Sequence, residues 1–410
     1  MADGSEYFDQ QGFSVTNMAH TAERFSKSGS RENTTAIAVL FFGTMAIISD
    51  IYIAQPILPL LSASFGVSPT VAALAVSLNI FALSSALLVY GPLSDYLGRK
   101  PVMVATGFLL SIPTVLISFT DNFSAFLVLR AVQGLFAAGI AAIAMAYITE
   151  EFPPGKVGKA IGVYISSMVA SGLFGRVFGG VLAGLFRWQT AFLTFGILNF
   201  AGTLLILRFL PASKNFKRNT GLFDSYSGMF NHFKNRRLVG AFIIAFALFF
   251  TFTGSFSYVT FYLSAPPFNL STVVLSLIFL VYVTGVISPV AGALSSRIGR
   301  RPVIAFGLAA TATGITLTLV KFLPAVVAGL LLLCAGLFSA QPAASALVGD
   351  NASTGKGSAT SLYLFFYYTG GSLGAVLPGL FWNSHGWPGV IAVCLLTLVT
   401  AAFSLAALCR

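Results

Sequence analysis

Charge is scarce in this chain. Only 9% of its 410 residues are Asp, Glu, Lys or Arg, against about 25% in soluble domains. So few charges cannot coat a water-facing surface of this size, which excludes a soluble globular protein. Histidine and cysteine are rare too, at three each. Cys334, Cys394 and Cys409 show no metal-ligand spacing and lie in apolar runs, so neither a disulfide framework nor a metal site is expected. His20, His232 and His385 all stand outside the apolar runs. No Gly-x-x-x-x-Gly-Lys-Ser/Thr loop occurs, which argues against an ATP-driven pump. Gly370 to Gly374 fits Gly-x-Ser-x-Gly, but it lies inside an apolar run and no such run holds a His, so a hydrolase elbow is not expected. Without paired acids or metal clusters in the apolar runs, the chain does not read as an enzyme, and no cofactor is implied.

What is there is apolar. Hydrophobic residues make up 56%, including 40 Phe, beside 40 Gly. From Ala36 onward, twelve apolar runs follow one another: 36–61, 70–92, 101–120, 124–147, 158–186, 189–210, 238–264, 271–294, 303–321, 323–348, 357–382 and 386–409. Each is long enough to cross ~30 Å of hydrocarbon as a helix. A membrane β-barrel would need alternating segments of about ten residues, and these runs do not alternate. The expected fold is an all-α membrane protein of two six-helix bundles, 36–210 and 238–409. Residues 1–35 read as a disordered polar tail without the apolar core of a signal peptide. Residues 211–237 read as a polar linker.

The net charge of +11 is placed by topology rather than by nucleic acid, which is not an expected partner. Of the 23 Lys and Arg, 19 fall on the side of the N-terminus, two (Arg187 and Lys321) on the other, and two (Arg130 and Arg176) within spans. That asymmetry puts both termini in the cytoplasm.

The two halves repeat. Gly91-Pro-Leu-Ser-Asp-Tyr-Leu-Gly-Arg-Lys-Pro-Val-Met103 aligns with Gly292-Ala-Leu-Ser-Ser-Arg-Ile-Gly-Arg-Arg-Pro-Val-Ile304, Gly134-Leu-Phe136 with Gly336-Leu-Phe338, Gly158–Tyr164 with Gly357–Tyr363, and Glu150 with Asp350. Four matches in one order mean a duplicated six-helix unit, and such repeats place a substrate site near the midplane between the halves.

The loop at 91–101 needs a tight turn, for which Gly91 and Gly98 are the expected glycines. Asp95 sits where it can meet the positive end of a neighbouring helix. Of the charged residues only Asp50, Arg130 and Arg176 fall well within the spans. Burying a charge there costs at least ~2.5–3.5 kcal/mol, so each should face a cavity and find a partner. At 1.5 Å per residue, Asp50 and Arg130 both lie roughly 21 Å above the inner face, and Arg176 roughly 27 Å. Arginine holds its proton, so Asp50 is the proton-carrier candidate, with a static helix-fixing pair as the alternative. Arg176 is read either as an anchor for an anionic group or outer gate, or as a side chain capping carbonyls and snorkelling outward. Its neighbours Gly172, Gly175, Gly179 and Gly180 should let that helix press on another. The C-terminal spans carry aromatics instead of charge. Tyr363 and Tyr367, one helical turn apart, and Phe249 are the preferred cavity residues.

Gly-Pro-Leu-Ser-Asp-Tyr-Leu-Gly-Arg-Lys-Pro at 91–101 and Leu-x-x-Arg-Ala-Val-Gln-Gly at 127–134 resemble the signatures of the major facilitator superfamily. Ser-Gly-Leu-Phe-Gly-Arg-Val-Phe-Gly-Gly at 171–180, Ser-Leu-Tyr-Leu-Phe-Phe-Tyr-Tyr at 361–368 and Gln-Pro-Ile-Leu-Pro at 55–59 resemble its YnfM-type inner-membrane transporters. The resemblance implies a secondary transporter of the bacterial inner membrane, working by alternating access and without a cofactor. It implies proton-coupled export of a small organic molecule such as a drug or sugar, with protons, substrate and lipid as partners and a monomer as the working unit. Alternatives are uptake of a sugar or organic anion, to which one acid against two arginines points, and a non-transporting membrane sensor. It also implies that the helices of Asp50 and Arg130 adjoin, so that the two pair and couple a proton. Gln133 joins Arg176, Tyr363, Tyr367 and Phe249 as a substrate or gate residue. At the cytoplasmic gate, Asp95 latches helix 2 to helix 11, Arg99 pairs with Glu150 or Glu151, and Arg300 pairs with Asp350.

Overall fold

Lipid offers no hydrogen bonds, so each segment must satisfy its own backbone, which a helix does. The computed structural model describes residues 34–213, 229–352 and 356–409, and among the described residues it is helical with no strand. Twelve helices cross the molecule: α1 Thr34–Tyr52, α2 Pro69–Leu97 and α3 Arg99–Ile117, α4 Phe123–Glu151, α5 Pro154–Leu185, α6 Trp188–Phe209, α7 Arg236–Ser264, α8 Thr272–Ile298, α9 Arg300–Leu317, α10 Leu323–Asn351, then α11 (356–385) and α12 (387–407), parted at Gly386 with φ +59°. Helices α1–α6 and α7–α12 form two bundles related by the sequence repeat. Asn122 and Asn235 cap α4 and α7 by accepting from Ala125 N and Arg237 N, the usual use of Asn at that position.

The apolar runs locate the helices, but not their interruptions. The run 36–61 is not one helix. α1 tightens into a 3₁₀ turn at Ser49–Tyr52, and helix resumes only at Leu58–Phe65. α8 is likewise 3₁₀ from Phe279 to Val286. Little in the apolar stretch of α8 marks its change, whereas the α1 break carries Asp50, Gln55 and Pro56. At several other margins, as at Glu151 and Asn351, the helices outrun the apolar windows, because their polar last turns leave the hydrocarbon while still helical. Thus Arg236 and Arg237, counted in the linker, begin α7. The expected tail over 1–33, linker positions 214–228 and Arg410 lie outside the described residues.

One end of the molecule gathers the basic loops. Lys100 Nζ donates to Leu210 O at 2.5 Å, Tyr147 OH to Pro211 O at 2.9 Å, and Arg237 Nη1 to Asn351 Oδ1 at 3.2 Å. In the half away from that basic end the bundles are bolted together. Between α2 and α11, Thr70 Oγ1 donates to Gly379 O (2.8 Å), Ser77 meets Ser372 (3.0 Å) and Ser84 meets Thr369 (3.1 Å). α5 lies tight on α8 there, since a Cβ at Gly180 would strike Ser276 and one at Gly184 would strike Val273. Toward the basic end α5 comes free. At about 100° per residue, Val169, Ile165, Gly162 and Gly158 share the face of Arg176. Val169 still lies against Gly285 of α8, but Ile165 is exposed and both glycines front open space. The bundles therefore part toward the basic end.

Candidate functional site

Pro56 has no N–H and cannot extend the α1 ladder. The ladder loosens before it. Gln55 N donates to Tyr52 O at 3.4 Å rather than to Ile51 O, its α-helical partner. Carbonyls of Asp50 and Ile51 are thus left over, deep in the protein. Arg130 of α4 takes them. Its Nη2 donates to Ile51 O (2.9 Å), its Nη1 to Asp50 O (3.3 Å), and its Nε to Ala75 O of α2 (2.9 Å). One planar guanidinium thereby holds α1, α2 and α4 in a single plane of bonds.

Arg130 and Asp50 are both fully buried, at matching height as expected, but they do not form the expected direct pair. Gln133, one turn beyond Arg130 and on the same face, stands between them. Its Oε1 accepts from Arg130 Nη1 at 2.7 Å, and its Nε2 donates to Asp50 Oδ2 at 2.9 Å. Thr114 of α3 donates to the same oxygen at 2.8 Å. Asp50 Oδ1 has no partner. The carboxyl points into the N-terminal bundle rather than between bundles, because the guanidinium is occupied by freed carbonyls. Spacing along α4 also explains the glycine of the motif. Gly134 lies so close to Asn79 O of α2 that a Cβ would collide with it, while Asn79 Nδ2 donates to Arg130 O at 2.9 Å.

Arg176 of α5 stands on the other side of the same α1 break. It is 4% exposed, so it does not snorkel to the surface. Nε donates to Gln55 Oε1 at 2.7 Å and Nη1 to Gly172 O at 2.8 Å. The guanidinium carbon sits 4.1 Å from the ring centre of Tyr52 and 4.5 Å from that of Tyr282, with Phe279 at 5.7 Å. Tyr282 and Phe279 come from α8, so this cation joins the two bundles. Of the glycines around it, Gly180 presses on α8, and Gly175 and Gly179 press on the end of α1. A Cβ at Gly175 would strike Ser49 O, and one at Gly179 would crowd Ile53.

Ring contacts continue through the C-terminal bundle. Tyr282 stacks on Phe252 (5.0 Å), Phe252 on Phe249 (5.8 Å), Phe249 on Tyr367 (4.2 Å) and Tyr367 on Tyr363 (6.4 Å). Three residues chosen from sequence, Phe249, Tyr363 and Tyr367, thus stand in one aromatic wall that ends on Arg176. Sequence reasoning gave no role to Tyr52, Gln55, Thr114 or Tyr282. Gln55 carried a signal, as an amide in an apolar run beside Pro56. The tyrosines are two among 13 and carried none.

The loop between α2 and α3 turns at Gly98 alone, with φ +98°, and its copy turns at Gly299 with the same angle. Gly91 corrects the expectation, because α2 runs through it to Leu97. Arg99 clamps Glu150 with Nη2–Oε1 at 2.6 Å and Nε–Oε2 at 3.1 Å, and takes Asp95 at 2.5 Å. Arg300 meets Asp350 at 3.0 Å. Among the described residues Asp95 pairs with Arg99, four residues on.

Comparison with known proteins agrees with this geometry. The family model described as Major Facilitator Superfamily matches residues 40–287 and 265–410. The Inner membrane transport protein YnfM of Escherichia coli K12 is 37% identical over 96% of this chain and 93% of its own length. The multi-drug resistance efflux pump PmrA of Streptococcus pneumoniae is 32% identical over 42% of this chain and 44% of its own. A bacterial homologue of the lysosomal transporter Spinster, solved inward-facing and occupied, superposes with a TM-score of 0.75 at 14% identity, covering 91% of this chain and 95% of that one. This chain is a membrane transporter of the major facilitator superfamily.

Proposed function

We propose that this transporter is a proton-coupled antiporter of the bacterial inner membrane that exports a small organic molecule. The basic end is the cytoplasmic side, as the distribution of Lys and Arg favours, and the conformation described here is the inward-open one. Asp50 carries the proton. The observation behind this reading is a fully buried carboxyl with one unpaired oxygen, linked through Gln133 to the arginine that holds the α1 break. When Asp50 is charged, Oδ2 accepts from Gln133 and Thr114. When it is neutral, the proton sits on the unpaired Oδ1, which turns from acceptor into donor, and Oδ2 accepts from Gln133 and Thr114 without a negative charge to strengthen those bonds.

Coupling to substrate runs through the same few residues. Asp50 and Tyr52 share one 3₁₀ turn, and Tyr52 and Gln55 touch Arg176. A short 3₁₀ stretch inside a helix suits a hinge. Asp95, Arg99 and Glu150 form the cytoplasmic gate with their repeats Arg300 and Asp350, and Asp95 engages α11 when the molecule faces outward. Tyr363, Tyr367 and Phe249 line the route, and Gln133 carries the link from Asp50 to Arg130. Growth and accumulation of a panel of compounds in an overexpressing strain would identify the cargo. Its flux in proteoliposomes should then rise under an imposed pH gradient. Flux indifferent to the gradient would refute proton coupling.

A further inference from the structure

Arg176 is a buried cation without a buried anion. Among the described residues no carboxylate lies within ion-pair distance of it, whereas Arg99 has two and Arg300 one. Two tyrosine faces, the amide oxygen of Gln55 and the carbonyl of Gly172 cushion the charge, and all of these are neutral groups that leave the cation without a counter-charge. The side chains in contact with it hold unspent donors. Gln55 is 2% exposed and Tyr282 4% exposed, yet Gln55 Nε2 and Tyr282 OH have no hydrogen-bond partner. A native core leaves few such groups orphaned. Three donors, one of them cationic, thus meet at one place with no acceptor of matching charge. Both walls of that place are 3₁₀ segments, Ser49–Tyr52 on one bundle and Phe279–Val286 on the other. The face of α5 below Arg176 opens toward the basic end.

We infer that Arg176, Gln55 and Tyr282 form the binding site for the anionic head of the cargo, and that the cargo is an aromatic or otherwise flat apolar carboxylate. This rests on the transport reading above and adds the substrate class to it. A planar carboxylate can accept from a guanidinium edge and from neighbouring N–H and O–H donors together. Its body would lie along the wall of Phe252, Phe249, Tyr367 and Tyr363, where ring contact supplies affinity without further polar groups. Binding here would bridge the bundles at their two 3₁₀ segments. It would also act on the turn that holds Asp50.

The test is calorimetric titration of the full-length protein in nanodiscs, without any gradient. The probes are benzoate, 3-phenylpropionate and 1-naphthoate, each beside its primary amide, which keeps the shape and lacks the charge. The acids should bind and their amides should bind at least about tenfold more weakly, the loss that one charge-assisted bond brings. Arg176→Gln should weaken the acids by about 10- to 100-fold. Because Arg176→Gln removes a bolt between bundles, Tyr282→Phe serves as the second variant. It keeps ring and guanidinium, and should cost the acids roughly tenfold while leaving the amides unchanged. Failure of all three acids to bind, acids no better than amides, or unchanged acid binding in Tyr282→Phe would overturn the inference. If those results came with pH-driven flux of a neutral or cationic solute, the antiport reading would survive and the anion site alone would fall. Acid binding without any gradient-driven flux would do the reverse.

Discussion

Arg130→Lys is the substitution whose consequence can be worked furthest. The guanidinium reaches Ala75 O on one side, Ile51 O and Asp50 O on another, and Gln133 Oε1 between them. A lysine keeps the charge but ends in a single ammonium, which cannot stand at both Ala75 O and Ile51 O. At least two of these buried acceptors are then left bare, and each unpaired group costs about 1–3 kcal/mol. The expected loss is about 2–6 kcal/mol. Since about 1 kcal/mol moves the melting point of a unit this size by 2–4 °C, Tm should fall by at least about 4 °C. Thermal unfolding of the purified protein in detergent, followed by loss of the monodisperse peak, reads this directly. Arg130→Gln should do no worse than Arg130→Lys if geometry rather than charge is what matters. A lysine variant with wild-type Tm would refute the claim that the fork of Arg130 holds the α1 break.

Other expectations follow from the same structure. Gly175→Ala should lower expression and Tm, because the added Cβ meets the backbone oxygen of Ser49. Gly162→Val should leave Tm nearly unchanged, since it fronts open space here, yet abolish transport if α5 must close on its neighbour at that level; normal flux would place Gly162 on a lipid face. Asp95→Asn should keep the Arg99–Glu150 clamp and raise thiol labelling of a cysteine placed at Lys159, by weakening the outward-facing latch. A reporter fused after Arg410 should be active only in the cytoplasm.

Much of the fold was legible because membrane helices obey a single rule, that apolar length must match the bilayer. The repeat was legible because Gly98 and Gly299 occupy the same left-handed turn. Depth counting brought Asp50, Arg130 and Arg176 to one level, and the structure puts all three around residues 49–55. What counting could not give was the break in α1. Its freed carbonyls redirect Arg130 from the carboxylate to the backbone and leave Gln133 to make the link. Gly91 was misread for a related reason, because a glycine beside Pro92 looks like a turn but packs within a helix that lipid and neighbours keep intact. The Arg176 cage combines residues of α1, α5 and α8, far apart in sequence and common in type, so only the packed structure brings it out.

The central claim is that a proton on Asp50 moves the bundles, and it can be tested without knowing the cargo. Spin labels at Lys159 on α5 and Arg297 on α8, both exposed near the basic end, would report the distance across the mouth by pulsed electron resonance as pH is varied. In the wild type the account predicts two populations that exchange with pH. In Asp50→Asn it predicts one pH-independent distribution, with the protein still folded. A wild-type response to pH that persists in Asp50→Asn would contradict the account.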